Sequence, residues 1–241
     1  MEKAQADIQK RTERVTVQQI VDGVLDMIRK GVFCPGKPIR EVELCRRFNV
    51  SRTPVREALR LLQNNGVVEY IPRCGVQVVD LSEQDLIYIT DTRTALEVLG
   101  AREAALRITP EQVEDLRKIN RSFLEQKETG FRGSLDNDFH IAIARISGNP
   151  CLVEYIQNLL MRQALIAAAI PMQPQRVPYA YEEHEAIIRG LELRDPELAA
   201  KQADIHFHMS QKSLQNQLIG ESDVATISPH GVVQQDVIVE H

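Results

Sequence analysis

Paired cysteines are missing from this chain. Its four, Cys34, Cys45, Cys74 and Cys151, show no CxxC spacing, which excludes a zinc knuckle or dithiol redox motif and fits a reduced cytoplasm. Long apolar runs are missing as well. The nearest approach, residues 151–170, is broken by Glu154, Gln157, Asn158, Arg162 and Gln163, so it reads as a core helix and not a membrane span. The opening MEKAQADIQKRTERV is too polar for a signal peptide, and no membrane is expected among the partners. Strand patterns are absent from Ser82 onward, where the apolar spacing is helical throughout.

What is present is enough apolar sequence for two domains. The 241 residues are 43% hydrophobic and 26% charged, the composition of a globular protein. The net charge of -5 hides a division. Residues 1–75 carry 14 Lys/Arg against 9 Asp/Glu, whereas residues 76–241 carry 15 against 25. A basic head therefore precedes an acidic body, and a polyanion responds to the local field of the head, not to the total.

In the head, Val17, Ile20, Val21, Val24, Leu25 and Ile28 predict a helix over about 15–30, stopped by Gly31 and Pro35-Gly36. A second helix is expected from about Arg40 to Arg47. A tight Asn49-Val50-Ser51 connection leads to a third, with Ser51 or Thr53 as cap and Pro54 in the first turn. That third helix buries Val55, Ala58, Leu59 and Leu62 and leaves Arg52, Arg56 and Arg60 along one ridge. Two short β runs, 67–71 and 76–79, flank the turn Pro72-Arg73-Cys74-Gly75. The expected fold is mainly α: a winged helix-turn-helix over 15–80 with a small β-hairpin wing, then an all-α bundle of about six helices over 82–217. A flexible arm (1–14) and a mobile tail (218–241) are expected at the ends. Breaks between the six helices fall at Thr109-Pro110, Gly130 to Gly133, Gly148-Asn149-Pro150, Pro171 to Pro178 and Asp195-Pro196, with Ser82 and Asp195 as N-caps.

A helix-turn-helix reads DNA by placing its second helix in the major groove, where arginine grips guanine through paired hydrogen bonds. Arg52, Thr53 and Arg56 stand at the end of the helix that enters the groove, and Arg73 and Gly75 at the wing tip. An isolated charge run is more often a solvated face. The agreement of helix order, caps, hairpin and local charge favours DNA contact here.

The stretch VELCRRFNVSRTPVREALRLLQNNGVV resembles the DNA-binding domain of the GntR family, and the remainder resembles the FadR-type C-terminal domain known as FCD. The resemblance covers about residues 15–217. It implies a homodimer that binds a short inverted repeat of operator DNA, in repressor fashion, and answers to a small organic acid. It carries Arg52, Thr53 and Arg56 over as recognition-helix contacts and Gly75 as the wing-tip glycine. Some members place an arginine early in the second helix, where this chain has Val42; Arg40 or Arg46 stands in for it.

In the acidic body, Asp136 and His140 are spaced i, i+4 and in phase with Phe139, Ile143 and Ile146, so both face inward. His184 is in phase with Tyr181, Ile188 and Leu191, and His206 shares a side with Ala199 and Met209. Buried polar groups without partners cost about 1–3 kcal/mol each. One carboxylate and three imidazoles suit a divalent transition metal such as zinc, nickel, cobalt or manganese. A lone inward histidine is more often a satisfied core residue, but many FCD domains bind metal through an Asp-x3-His pair and two further histidines, and the resemblance selects the same four positions. His208 and Asp138 fall out of phase and are rejected. Arg93 is a candidate to balance an effector carboxylate, its alternative being a surface ion pair with Glu97 at i+4.

Two competing functions remain at this level. A metal-dependent hydrolase or lyase would need a general base that is not itself a ligand; only Glu183 and Glu185 flank the site, and both are expected to point away from His184. A purely structural metal in a dimerisation domain is the other.

Overall fold

The structure, a computed structural model, describes residues 15–127, 129–170 and 172–218. The expected arm (1–14) and residues 219–241 of the expected tail lie outside the described residues. The helix Pro196–Leu218 is the last element among the described residues.

The head begins with α1 (Val17–Arg29), opened by a reciprocal capping box between Thr16 and Gln19. A short strand β1 (Pro38–Ile39) follows, then α2 (Glu41–Phe48) and α3 (Arg52–Asn64). Asn49 turns the chain between these two helices in the left-handed region at φ 53°, a conformation asparagine tolerates better than most residues. Ser51 occupies the cap position of α3 but its side chain makes no capping hydrogen bond. The wing comprises β2 (Val68–Ile71) and β3 (Gly75–Val78). The expected hairpin is joined by β1, which pairs antiparallel with β3, so the sheet order is β1-β3-β2. Two residues containing a proline carry no periodicity, which is why this edge strand left no signal.

After the 79–82 connection, six helices form the bundle: α4 (Glu83–Ala105), α5 (Pro110–Glu125), α6 (Thr129–Ile146), α7 (Pro150–Ala169), α8 (Arg176–Glu192) and α9 (Pro196–Leu218). Local chemistry sets most of their starts. Ser82 and Thr109 form capping boxes with Asp85 and Gln112, and Asn149 caps α7. Asp195 accepts from the amides of Glu197 and Leu198. The break expected at 130–133 is not made, since α6 runs through Gly133. Gly130 and Gly133 together cost the helix only about 2 kcal/mol, less than the packing of an 18-residue helix returns.

The head core joins Ile20, Val24, Leu44, Val55, Leu62 and Val78. It also takes in Ala164 and Leu165 of α7, so the head does not close its core alone but docks on the bundle. The main bundle core unites Ala101, Ala104, Ile143, Ile187, Ile188, Leu191, Ala199 and Ala203, drawing α4, α6, α8 and α9 around a common centre.

Candidate metal centre and effector chamber

Asp136 and His140 come from α6, His184 from α8 and His206 from α9, and one donor atom from each lies within 4.8 Å of the others. The three histidines are buried, and His184 Nε2 stands 3.6 Å from Asp136 Oδ1. Donors about 2.0–2.2 Å from one ion are at most about 4.4 Å apart, so seating a metal requires the four groups to close by at least a few tenths of an ångström. His208 and Asp138 are exposed.

Each imidazole is held by its Nδ1. His140 Nδ1 lies 3.3 Å from Glu97 Oε2, His206 Nδ1 is 2.9 Å from Glu183 Oε2, and His184 Nδ1 is 3.0 Å from Asn120 Oδ1. The Asn120 amide nitrogen already donates to the Tyr181 carbonyl and to Glu185, so its oxygen must be the atom facing His184. All three rings thus donate through Nδ1, which leaves the Nε2 lone pairs free. His140 Nε2 and His184 Nε2 are buried with no hydrogen-bond partner, an arrangement a cation would relieve. Phe139 stacks on His184 at 4.2 Å between centroids, and Phe207 meets His206 edge-on at 4.9 Å, so the rings cannot swing. The residues fit a divalent ion.

The electrostatics agree. Burial, together with the neighbouring histidines, Arg176 and Arg93, holds His184 and His206 well below the ordinary histidine pKa, as the neutral bases a metal requires. Burial would raise the Glu97 carboxyl, but the Arg93 charge and the hydrogen bonds from His140 and Arg93 hold it well below the ordinary carboxylate range.

Two expectations are corrected. Arg93 does pair with Glu97, at 3.0 Å, but the pair is buried and not on the surface, with side chains 6% and 3% exposed. Glu183 does not point away: it accepts from His206 and from Arg176. A carboxylate committed to two partners is not a free general base, so the case against hydrolysis persists on different grounds. Asn120 was not singled out from sequence, and Glu97 and Glu183 were named there only in other roles, as a surface partner of Arg93 and as a possible general base. Asn120 left a faint signal, a polar residue in phase with Val113, Leu116 and Phe123.

Beside the donors opens a chamber of about 180 Å³, lined by Arg93, Arg132, Asp136, Arg176 and His206 among others. Arg93 Nη2, Arg132 Nε and Arg176 Nη1 are buried without partners. Such groups call for an anion.

In the head, Arg40, Arg46, Arg52, Thr53 and Arg73 are exposed. Arg56 is exposed too but is engaged by Glu41, its Nε 3.0 Å from both carboxylate oxygens. Arg73 and Gly75 have φ of 70° and 87°, and nothing lies within 4 Å of a Cβ placed on Gly75. The tight wing turn, not crowding, is what asks for glycine there.

A winged helix-turn-helix head docked on a helical bundle is the architecture of a DNA-binding transcription regulator. Residues 16–78 match the family of bacterial regulatory proteins named gntR, and residues 88–209 match the FCD domain; the chain belongs to the GntR family, with an FCD C-terminal domain, and is not an enzyme. It is 32% identical to a probable D-xylose utilization operon transcriptional repressor of Paenarthrobacter nicotinovorans, over 79% of this chain and 85% of that one. It is 31% identical to the transcriptional repressor NanR of Cronobacter sakazakii, over 81% and 84%. The fold is similar to that of E. coli McbR/YncC, with a TM-score of 0.74 at 21% identity, covering 84% and 98% of the two chains. No helix among the described residues is long and apolar enough to cross a membrane.

Proposed function

We propose that this regulator is a cytoplasmic, homodimeric repressor whose affinity for operator DNA is set by a small organic acid bound beside a divalent metal in the FCD domain. The observation that carries the reading is the cluster of three imidazoles, each held through Nδ1, with one donor atom from each and from Asp136 within 4.8 Å of the others beside an arginine-lined chamber. Asp136, His140, His184 and His206 would hold the ion, and the donor set favours zinc, nickel, cobalt or manganese over calcium or magnesium. When bound, the metal supplies a Lewis-acidic anchor for a carboxylate. Arg93, braced by Glu97 and stacked 4.9 Å from the Phe207 ring centre, balances the charge of the acid.

At the DNA, Arg52, Thr53 and Arg56 enter the major groove, with Arg56 exchanging Glu41 for DNA, while Arg73 and Gly75 bring the wing to the backbone. Arg40 and Arg46 add contacts from the second helix. Two copies match a short inverted repeat, and exposed Tyr88, Leu99 and Tyr155 on adjacent α4 and α7 offer apolar surface for pairing.

Elemental analysis tests the centre. About one divalent ion per chain is expected, lost on His140→Ala or His206→Ala and kept on His208→Ala. If His208→Ala loses the ion and His206→Ala keeps it, the assignment of α9 is wrong. A structural metal is separated from a sensing one by melting the loaded and chelated protein with organic acids: a shift only in the loaded form supports sensing.

A further inference from the structure

The chamber is not confined to the helical bundle. Arg29, the last residue of α1 in the DNA-binding head, lines it together with Arg93, Arg132 and Arg176. Arg29 is half-buried and, among the described residues, makes no ion pair within 4 Å; Asp26, one turn before it, is taken by Lys30 at 2.9 Å. Burial pushes its pKa down, against the more distant Asp26, Asp22 and Asp138. A cation at a helix C-terminus favours its own helix, but that effect does not call for desolvation, which costs free energy until an anion arrives.

The four arginines fall into two pairs. Arg93 and Arg176 are each ion-paired, with Glu97 and Glu183, and theirs are the arginine charges that reach His184 and His206. Among the described residues, Arg29 and Arg132 make no ion pair within 4 Å; Arg132 donates to the Gln126 carbonyl, and its Nε is buried without a hydrogen-bond partner there. The chamber thus meets the histidine cluster through Asp136 and His206 and also takes in Arg29 and Arg132, one arginine from each domain. The volume, about 180 Å³, is below the roughly 300–1,000 Å³ of drug-sized pockets and suits an acid of a few carbons.

We propose that Arg29 is an effector-binding residue supplied by the DNA-binding head, and that the effector is a compact dianion: one anionic group sits by Arg93 and Arg176, the second between Arg29 and Arg132. This rests on the effector reading above and adds its chemical class and its route to DNA. The occupant ties α1 to α4, α6 and α8. Because α1 packs under α3 in the head core, the tie restricts how the recognition helix is presented. Effector and operator affinities are then coupled reciprocally.

The test is isothermal titration of the metal-supplemented full-length protein with succinate, glutarate and butyrate, on wild type, Arg29→Gln, Arg132→Gln and Arg93→Gln, each first shown to melt cooperatively. Wild type should bind one of the dicarboxylates at least about tenfold tighter than butyrate. Arg29→Gln should weaken the dicarboxylate about 10- to 100-fold, the range of a lost charge-assisted hydrogen bond, and leave butyrate unchanged. Arg132→Gln should act in the same direction, and Arg93→Gln should weaken both acids. Hydrogen exchange supplies a second readout: the dicarboxylate should protect amides 26–33 in wild type but not in Arg29→Gln. Unchanged dicarboxylate binding in Arg29→Gln, with Arg93→Gln impaired, overturns the role of Arg29 while the effector reading stands. Absence of binding by all three acids to wild type, or binding indifferent to Arg93→Gln, overturns the effector reading and this inference with it.

Discussion

At Gly190 the backbone of α8 lies close against that of α9, and replacing the glycine by alanine sets two physical effects of opposite sign against each other. A Cβ there would lie 2.7 Å from both the Cα and the backbone nitrogen of Ala199, and 3.2 Å from its Cβ. Carbon contacts settle near 3.5–4.0 Å, so the helices must part by about 1 Å. Overpacking a core costs typically about 1–3 kcal/mol, and an obstacle made of backbone puts this case near the upper end. Alanine returns about 1 kcal/mol of helix propensity relative to glycine. The net expectation is a loss of about 2 kcal/mol, which for a chain of this size lowers Tm by about 4–8 °C. Differential scanning calorimetry measures it directly. Adding Ala199→Gly should not rescue the variant, because the two shortest contacts are to backbone. Since α8 carries His184 and α9 carries His206, metal affinity should fall as well. A Gly190→Ala protein that melts at or above the wild-type temperature would show that propensity outweighs the clash and that this packing is misread.

Two other expectations follow from the electrostatics. In metal-free protein, His184 and His206 stay neutral in the fold while the unfolded chain protonates near pH 6.5. The unfolded state then binds more protons, so the stability present above about pH 6.5 is lost as the pH falls below it. Burial raises the Glu183 carboxyl, an opposing trend from one group against two. A Tm that is flat or rising between pH 7.5 and 5.5 would contradict this. At the DNA, Arg52→Ala should weaken operator binding by about 1–3 kcal/mol if the side chain reads a base, measured by fluorescence anisotropy on operator and random duplexes. An equal loss on both duplexes would reassign Arg52 to the phosphate backbone.

The sequence by itself determined much that is local. Six helices after Ser82, the caps at Ser82 and Asp195, the buried stripe Val55, Ala58, Leu59 and Leu62, and the inward phase of His140, His184 and His206 are all written in periodicities of one turn or two, which the backbone enforces wherever the chain later packs. Phase also separated His206 from exposed His208. Tertiary structure alone decided which groups those inward residues meet. A histidine on an apolar stripe announces that something must satisfy it, but only the docking of α4, α5 and α8 shows Glu97, Asn120 and Glu183 taking the Nδ1 positions and freeing Nε2. The same holds for the burial of the Arg93–Glu97 pair, for the entry of Ala164 and Leu165 into the head core, and for Arg29 on the wall of a chamber more than a hundred residues away in sequence from His206. These contacts join segments with no local correlation, so their free energy exists only once the helices are packed.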